Sequence, residues 1–319
     1  MRAGLETVRV RSRAALAVAS LLVFAGCAPT THNLQVSKMG KNVSDAAMEQ
    51  QLQTPGPVVL ETVTSATWAV SLSGLLNLND PQAADLKDRE EPIAVYAHVL
   101  RHPVYGNFLV DTGVSARIVQ SPSDYGLNWL LQKVMKLDQM ALKKPTGEIV
   151  AGLNGPLAGV FFTHLHIDHI SGMPDIGADV PLFVGTDEAT ASHYMHSATQ
   201  GATNALLADK APLQEWPFVQ RTAPVGPDAF DAVLDIFGDA SVFAIYTPGH
   251  TAGSTAYLVR STQGPVLLVG DTSHTQWGWE HGVEPGNFTR EHARNRESLR
   301  KLKTLVERHP GMQVRLGHQ

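Results

Sequence analysis

Short apolar runs bounded by glycine, proline or small polar residues recur through the second two-thirds of the chain, and they read as strands. Ile93 to Arg101 and Phe108 to Asp111 read as two strands joined around Pro103 and Gly106, ending in Asp111-Thr112-Gly113. Ala158 to Phe162 and Pro181 to Gly185 read as buried strands, with three more at Ser241 to Tyr246, Ser254 to Arg260 and Pro265 to Gly270. A final strand is expected at Gln313 to Leu316, just before Gly317-His318-Gln319. Helical spacing appears in Leu127 to Leu142, around Glu188 to His196, and in the charged, amphipathic stretch Arg290 to Arg308. No repeat with a period of about 20 to 50 residues is visible, which argues against a solenoid.

The beginning of the chain follows another pattern. Arg2, Arg9, Arg11 and Arg13 precede an apolar stretch from Ala14 to Ala25, too short to span a bilayer about 30 Å thick. Residues 1–26 are therefore expected to be a signal peptide. The only cysteine of the chain, Cys27, follows directly. Ala25-Gly26-Cys27 resembles a bacterial lipobox, which implies cleavage before Cys27, lipid attachment to its thiol and a membrane-anchored, exported protein. Ala28 in place of an aspartate favours the outer membrane over the inner. Residues 27–57 turn polar and aperiodic and are expected to be a tether, with the catalytic domain at 58–319.

Composition narrows the functional classes. With 319 residues and 43% apolar content, the chain can bury a large core. Net charge is −5, and without the first 26 residues 21 basic side chains face 29 acidic ones. An acidic body lacks the footprint of a nucleic-acid binder, and no nucleic-acid partner is expected. A single cysteine excludes an intrachain disulfide, and no Gly-x-Ser-x-Gly run supplies a serine nucleophile.

The chemistry concentrates in Thr163-His164-Leu165-His166-Ile167-Asp168-His169. Three imidazoles and a carboxylate in six consecutive positions suit a divalent ion, and a set without cysteine suits a catalytic site better than a closed structural one. Alternate side chains of an extended segment share a face, so His164 and His166 can address one ion while a turn at Asp168 aims His169 at a second. Further candidates sit at expected strand ends: His250 after Pro248-Gly249, Asp271 after Gly270, and His318 after Gly317.

In motif order and spacing, from about Val58 onward, these residues resemble the metallo-β-lactamase-fold superfamily. The resemblance implies an α/β fold, a four-layer αββα sandwich with metals at one edge between two sheets. It implies that His164, His166 and His250 hold one ion, that Asp168, His169 and His318 hold another, and that Asp271 bridges them. Asp111 would support the site from behind by orienting a ligand histidine. Two divalent ions are expected, zinc before iron, manganese or cobalt. They would bring a bridging water towards neutral pKa, polarise a carbonyl and leave Asp168 to carry the proton.

Within the superfamily the N-acyl homoserine lactonase-like branch fits best. True class B β-lactamases lack an aspartate where Asp271 falls, and glyoxalase II carries a C-terminal helical extension. The lactonase branch has a tyrosine three residues after the bridging aspartate, where this chain has His274. A histidine can also donate to a lactone carbonyl, which makes His274 a candidate catalytic residue. Trp277, Trp279 and Phe288 are candidates to wall an apolar pocket. The expected activity is hydrolysis of a carboxylic ester-type bond by a metal-bridging hydroxide, lactone first and ester or thioester next. The alternatives are a mononuclear-iron persulfide dioxygenase-like enzyme and a non-catalytic metal-binding lipoprotein.

Overall fold

The computed structural model describes residues 26–221 and 226–319. The expected charged start and apolar stretch of a signal peptide lie outside the described residues.

Two sheets stack face to face. The larger has eight strands, in the order Leu34–Val36, Leu213–Glu215, Leu182–Val184, Leu157–Phe161, Gly106–Val110, Glu90–His102, Val59–Ser71 and Ala141–Leu142. The smaller has six, in the order Gln313–Arg315, Gly264–Leu268, Thr255–Ser261, Val242–Tyr246, Val233–Asp235 and Lys41–Asn42. The core between them interdigitates Phe108, Phe161, Phe183 and Trp216 of the larger sheet's side with Leu234, Val242, Tyr257 and Leu268 of the smaller. On the larger sheet's other face, Ile118, Leu131, Ile149, Ile170 and Leu206 of five helices complete a second core. Helices Asp45–Gln50 and His292–Arg308 cover the smaller sheet through Met48, Leu302 and Leu305. The result is the expected four-layer αββα sandwich. Each of these large apolar side chains contributes about 1.5–3 kcal/mol when withdrawn from water, so the layering is set by burial on both faces of both sheets.

The stretch expected as a tether is part of this body. Leu34–Val36 pairs in parallel with Leu213–Glu215, and Lys41–Asn42 pairs with Leu234 and Asp235. Ser44 then caps Asp45–Gln50 by accepting the Ala47 N–H at 3.1 Å, and that helix buries Met48 completely. The polar residues face water while Met48 and Leu52, too sparse to form a visible period, reach the core.

Three other elements depart from expectation. Leu127 to Leu142 is not one helix: Trp129–Val134 is helical, Lys136 adopts φ 49°, and Ala141–Leu142 becomes an edge strand against Ala66 and Thr67. The left-handed residue ends the helical ladder and the sheet edge takes the freed backbone groups. The helix around Glu188 to His196 begins instead at His196 and runs to Leu207, because Asp187 at φ 65° and the Glu188 side chain commit the preceding residues to a loop. The longest unforeseen strand, Val59–Ser71, carries Thr and Ser on its half-buried face and shifts register between Thr64 and Ala66, which blurs the two-residue alternation.

Candidate metal centre

Both sheets deliver side chains to one edge of the sandwich. Asp111 follows strand Gly106–Val110, His164 and His166 follow Leu157–Phe161, and the short helix Ile167–Ile170 carries Asp168 and His169. From the smaller sheet come His250, in the loop after Val242–Tyr246, Asp271, in the turn after Gly264–Leu268, and His318, after Gln313–Arg315.

These residues converge. Ligand-capable atoms of His164, His166, His250 and Asp271 lie within 4.8 Å of one another, as do those of Asp168, His169 and His318, and those of Asp271, His274 and His318. Oδ2 of Asp271 is the common point: it lies 3.3 Å from Nε2 of His169, 3.4 Å from that of His318, and 3.6 Å from those of both His164 and His250. Two donors each about 2.1 Å from one ion stand about 3.0 Å apart at a right angle and about 3.4 Å apart at the tetrahedral angle. The contact between His250 Nε2 and His166 Nδ1, 3.0 Å, and that between His318 Nε2 and Asp168 Oδ2, 3.3 Å, fit the same geometry.

The outer nitrogens explain why the inner ones face the centre. Nδ1 of His169 donates to Asp111 Oδ2 at 2.8 Å, and Nδ1 of His318 donates to the Ala94 carbonyl at 2.9 Å. Nδ1 of His250 lies 3.3 Å from the Thr289 hydroxyl. Fixing the outer N–H sets the tautomer and turns the lone pair of Nε2 inward. Asp111, at φ 54°, also receives the Thr163 N–H and hydroxyl, both at 2.8 Å, while the Thr112 hydroxyl donates to the His169 carbonyl at 2.8 Å. The Asp-Thr-Gly turn therefore grips both ends of the His-rich run. Gly317 is required by close approach, since a Cβ there would stand 2.2 Å from Asp271 Oδ1.

Among the described residues, Nε2 of His164, Nε2 of His169 and Oδ1 of Asp271 are buried without a hydrogen-bond partner. Buried polar atoms are rarely left so, and a convergent set of them fits a cation. Burial pushes His164 and His250 well below the usual histidine range and His166 to about 4, which keeps these imidazoles neutral, the form that binds metal. Burial acts the same way on His169, but the Asp271, Asp111 and Asp168 carboxylates outweigh it and raise its pKa. Burial opposes the charge on Asp271 as well, and the His169, His274, His318 and His164 imidazoles override it and hold the carboxyl well below its ordinary range.

His166 and Asp168 are half-buried, whereas His164, His250 and Asp271 are buried, so the first two mark the open side. Beside them a small cleft is lined by His166, His250, Phe288, Arg290, His193, His196 and Pro29. Phe288, 43% exposed, is the one of the three candidate aromatics in this cleft. Trp277 packs with Leu72 and Leu76 and stacks on His281, and Trp279 packs under the smaller sheet. His274 is 3% exposed, with Nε2 2.9 Å from Asp271 Oδ2. Cys27 sits next to the cleft: its carbonyl accepts from His196 Nδ1 at 3.1 Å.

Glu188 is a functional residue that no sequence pattern singles out. It is 2% exposed, and its carboxylate accepts the Leu165 N–H at 2.7 Å, the Thr251 hydroxyl at 2.6 Å and the Gly253 N–H at 3.0 Å. It thus ties the His164/His166 segment to the His250 loop. An isolated glutamate after Gly-Thr-Asp carries no motif that would have revealed this.

A family model described as the metallo-beta-lactamase superfamily matches residues 91–318. The chain belongs to the metallo-beta-lactamase superfamily. Among curated proteins, this superfamily member is 26% identical over 238 residues to an N-acyl homoserine lactonase AttM of Azorhizobium caulinodans, covering 72% of this chain and 83% of that protein. It is 27% identical over 242 residues to the AttM lactonase of Agrobacterium fabrum, with the same coverage. Among solved structures it superposes on an N-acyl homoserine lactone hydrolase holding N-hexanoyl-L-homoserine at its catalytic metal centre, with a TM-score of 0.56, 17% identity, and coverage of 83% of this chain and 94% of that one. A hydrolase named AbOPH gives a TM-score of 0.55 at 13% identity, covering 89% and 91%. The structural likenesses establish the fold. The metallo-beta-lactamase chain is accordingly a metal-dependent hydrolase with a His/Asp cluster suited to divalent ions.

Proposed function

We propose that the chain is an exported dinuclear hydrolase that opens a carboxylic ester-type bond, a lactone first and an ester or thioester next. The observation that carries this reading is the convergence of four imidazoles, His164, His169, His250 and His318, on Asp271 Oδ2, with the unpartnered Nε2 atoms of His164 and His169 aimed inward. In it, His164, His166 and His250 would hold one ion, Asp168, His169 and His318 would hold the other, and Asp271 would contribute to both. Bound there, two divalent ions, zinc first, supply an activated water and polarise the scissile carbonyl. The remaining work falls to the chain. Asp168, on the open side, holds the proton taken from the attacking water and releases it to the leaving oxygen. Phe288 offers an apolar wall to an acyl group, and Arg290 offers a cation to the carboxylate product.

Lipid attachment at Cys27 is part of the same proposal. It would set the cleft beside the anchor, because Cys27 bonds to His196 and Pro29 lines the cleft. Acyl-bearing amphiphiles near a membrane are then the accessible substrates. Replacing Cys27 with serine should release the protein from membranes without changing turnover.

The deciding experiment is elemental analysis of protein starting at Ala28, with pH-stat assays against lactones, esters and thioesters on the same sample. About two ions per chain with ester or lactone turnover is the expected result. One iron without hydrolysis would replace the reading with an oxygenase, and metal without any turnover with a binding protein. Asp271→Ala should lose metal and activity together, and retention of both ions would remove its bridging role.

A further inference from the structure

We propose that His274 is a sixth imidazole ligand, to the ion held between Asp271 and His318, rather than a hydrogen-bond donor to substrate. This role rests on the two-ion reading and adds a residue to its ligand set.

His274 is 3% exposed, and among the described residues neither of its ring nitrogens has a hydrogen-bond partner. Other buried histidines of this chain do not share that state: His98 bonds to the Thr62 hydroxyl at 2.9 Å and His102 to Asp239 at 3.0 Å. A neutral imidazole withdrawn from water without a partner costs on the order of a lost hydrogen bond or more, so such a residue calls for an explanation.

Geometry supplies one. Nε2 of His274 stands 2.9 Å from Asp271 Oδ2, yet no hydrogen bond joins them, so the ring N–H is not aimed along that contact. A separation of about 3 Å is what two donors make when they meet one ion at a right angle. The ring centroid lies 5.1 Å from that of His250 and 5.1 Å from that of His318, tilted by 79° and 63°. Those spacings match pairs already inside the cluster, 4.9 Å for His164 and His250 and 5.6 Å for His169 and His318. Asp271, His274 and His318 by themselves bring three ligand-capable atoms within 4.8 Å. A donor to substrate would instead present a nitrogen to the opening, and the cleft beside His166 and His250 has no contribution from His274.

The test counts rings. In protein labelled with 15N-histidine and loaded with 113Cd, each ligating imidazole shows a 113Cd–15N coupling, and six coupled rings are expected, one of them absent in His274→Gln. Five coupled rings, with none lost in the variant, would overturn the proposal and leave the two-ion reading standing. No coupled ring at all would sink the two-ion reading itself. Zinc titrations against a competing chelator, on His274→Gln and His274→Tyr, give an independent readout. The weaker of the two zinc affinities should fall at least tenfold and the tighter one stay unchanged, and wild-type affinity for both ions in both variants would overturn the assignment. If either variant fails to fold, the ring count in the unaltered protein still decides.

Discussion

Asp111 Oδ2 accepts the Nδ1–H of His169 at 2.8 Å, and through that bond a residue at a strand end sets the direction of an imidazole on the short helix Ile167–Ile170. Replacing Asp111 with asparagine keeps the size and the tolerance for a left-handed backbone, but weakens the acceptor. Metal affinity should fall about 10- to 100-fold with little loss of secondary structure. Chelator competition and circular dichroism on the same sample check this, and unchanged affinity would show that His169 is oriented without Asp111.

Glu188 joins the two loops that carry His164, His166 and His250, by hydrogen bonds from Leu165, Thr251 and Gly253. Burial pushes its pKa up to about 7, so the ionised form is sustained by those three donors. Glu188→Gln places an amide group opposite donors, and a buried donor without an acceptor costs about 1–3 kcal/mol. Urea unfolding of the metal-free protein should register a loss of that size, and a change below about 0.5 kcal/mol would mean that the two loops are held by other contacts.

Met48 lies in the stretch that reads as a tether and is fully buried beneath the smaller sheet. Met48→Ala should cost about 2–5 kcal/mol, as for other core truncations. A true tether residue would cost nothing, so equal melting temperatures for the two proteins would detach residues 34–53 from the fold.

His98, buried against Thr62, has its pKa lowered by burial from 6.5 to about 3. Above pH 6.5 both folded and unfolded chains carry it neutral. Below that value the unfolded chain takes up a proton that the folded chain refuses, so stability falls with pH by up to about 1.4 kcal/mol per unit until about pH 3. Between pH 7.5 and pH 5, His98→Asn should therefore lose about 2 kcal/mol less stability than the unaltered protein. Parallel denaturant curves at the two pH values test it, and identical acid sensitivity would show that His98 is protonated in the folded state.

Much of the centre is legible in the sequence. His164, His166, Asp168 and His169 are adjacent along the chain, so local geometry alone brings them near one another, and His250, Asp271 and His318 follow expected strand ends, where a sheet edge gathers them. Three of the strands that hold them, Leu157–Phe161, Val242–Tyr246 and Gly264–Leu268, are legible too, because each is an apolar run buried over most of its length. Glu188 is not, since nothing local marks it and its partners lie 23, 63 and 65 residues away. Nor is the fate of residues 34–53, whose strands are two and three residues long and gain stability only from partners that tertiary folding supplies. The same holds for His274. Its type and position are visible in the sequence, but which atoms its nitrogens face depends on Asp271, His250 and His318 arriving from three loops. Sequence by itself determined the ligand types and the layered sheet, because adjacency and burial act along the chain. Tertiary structure alone decided that Glu188 ties the loops of the centre together and how each side chain there is oriented, because hydrogen bonds between distant loops fix directions that no local pattern encodes.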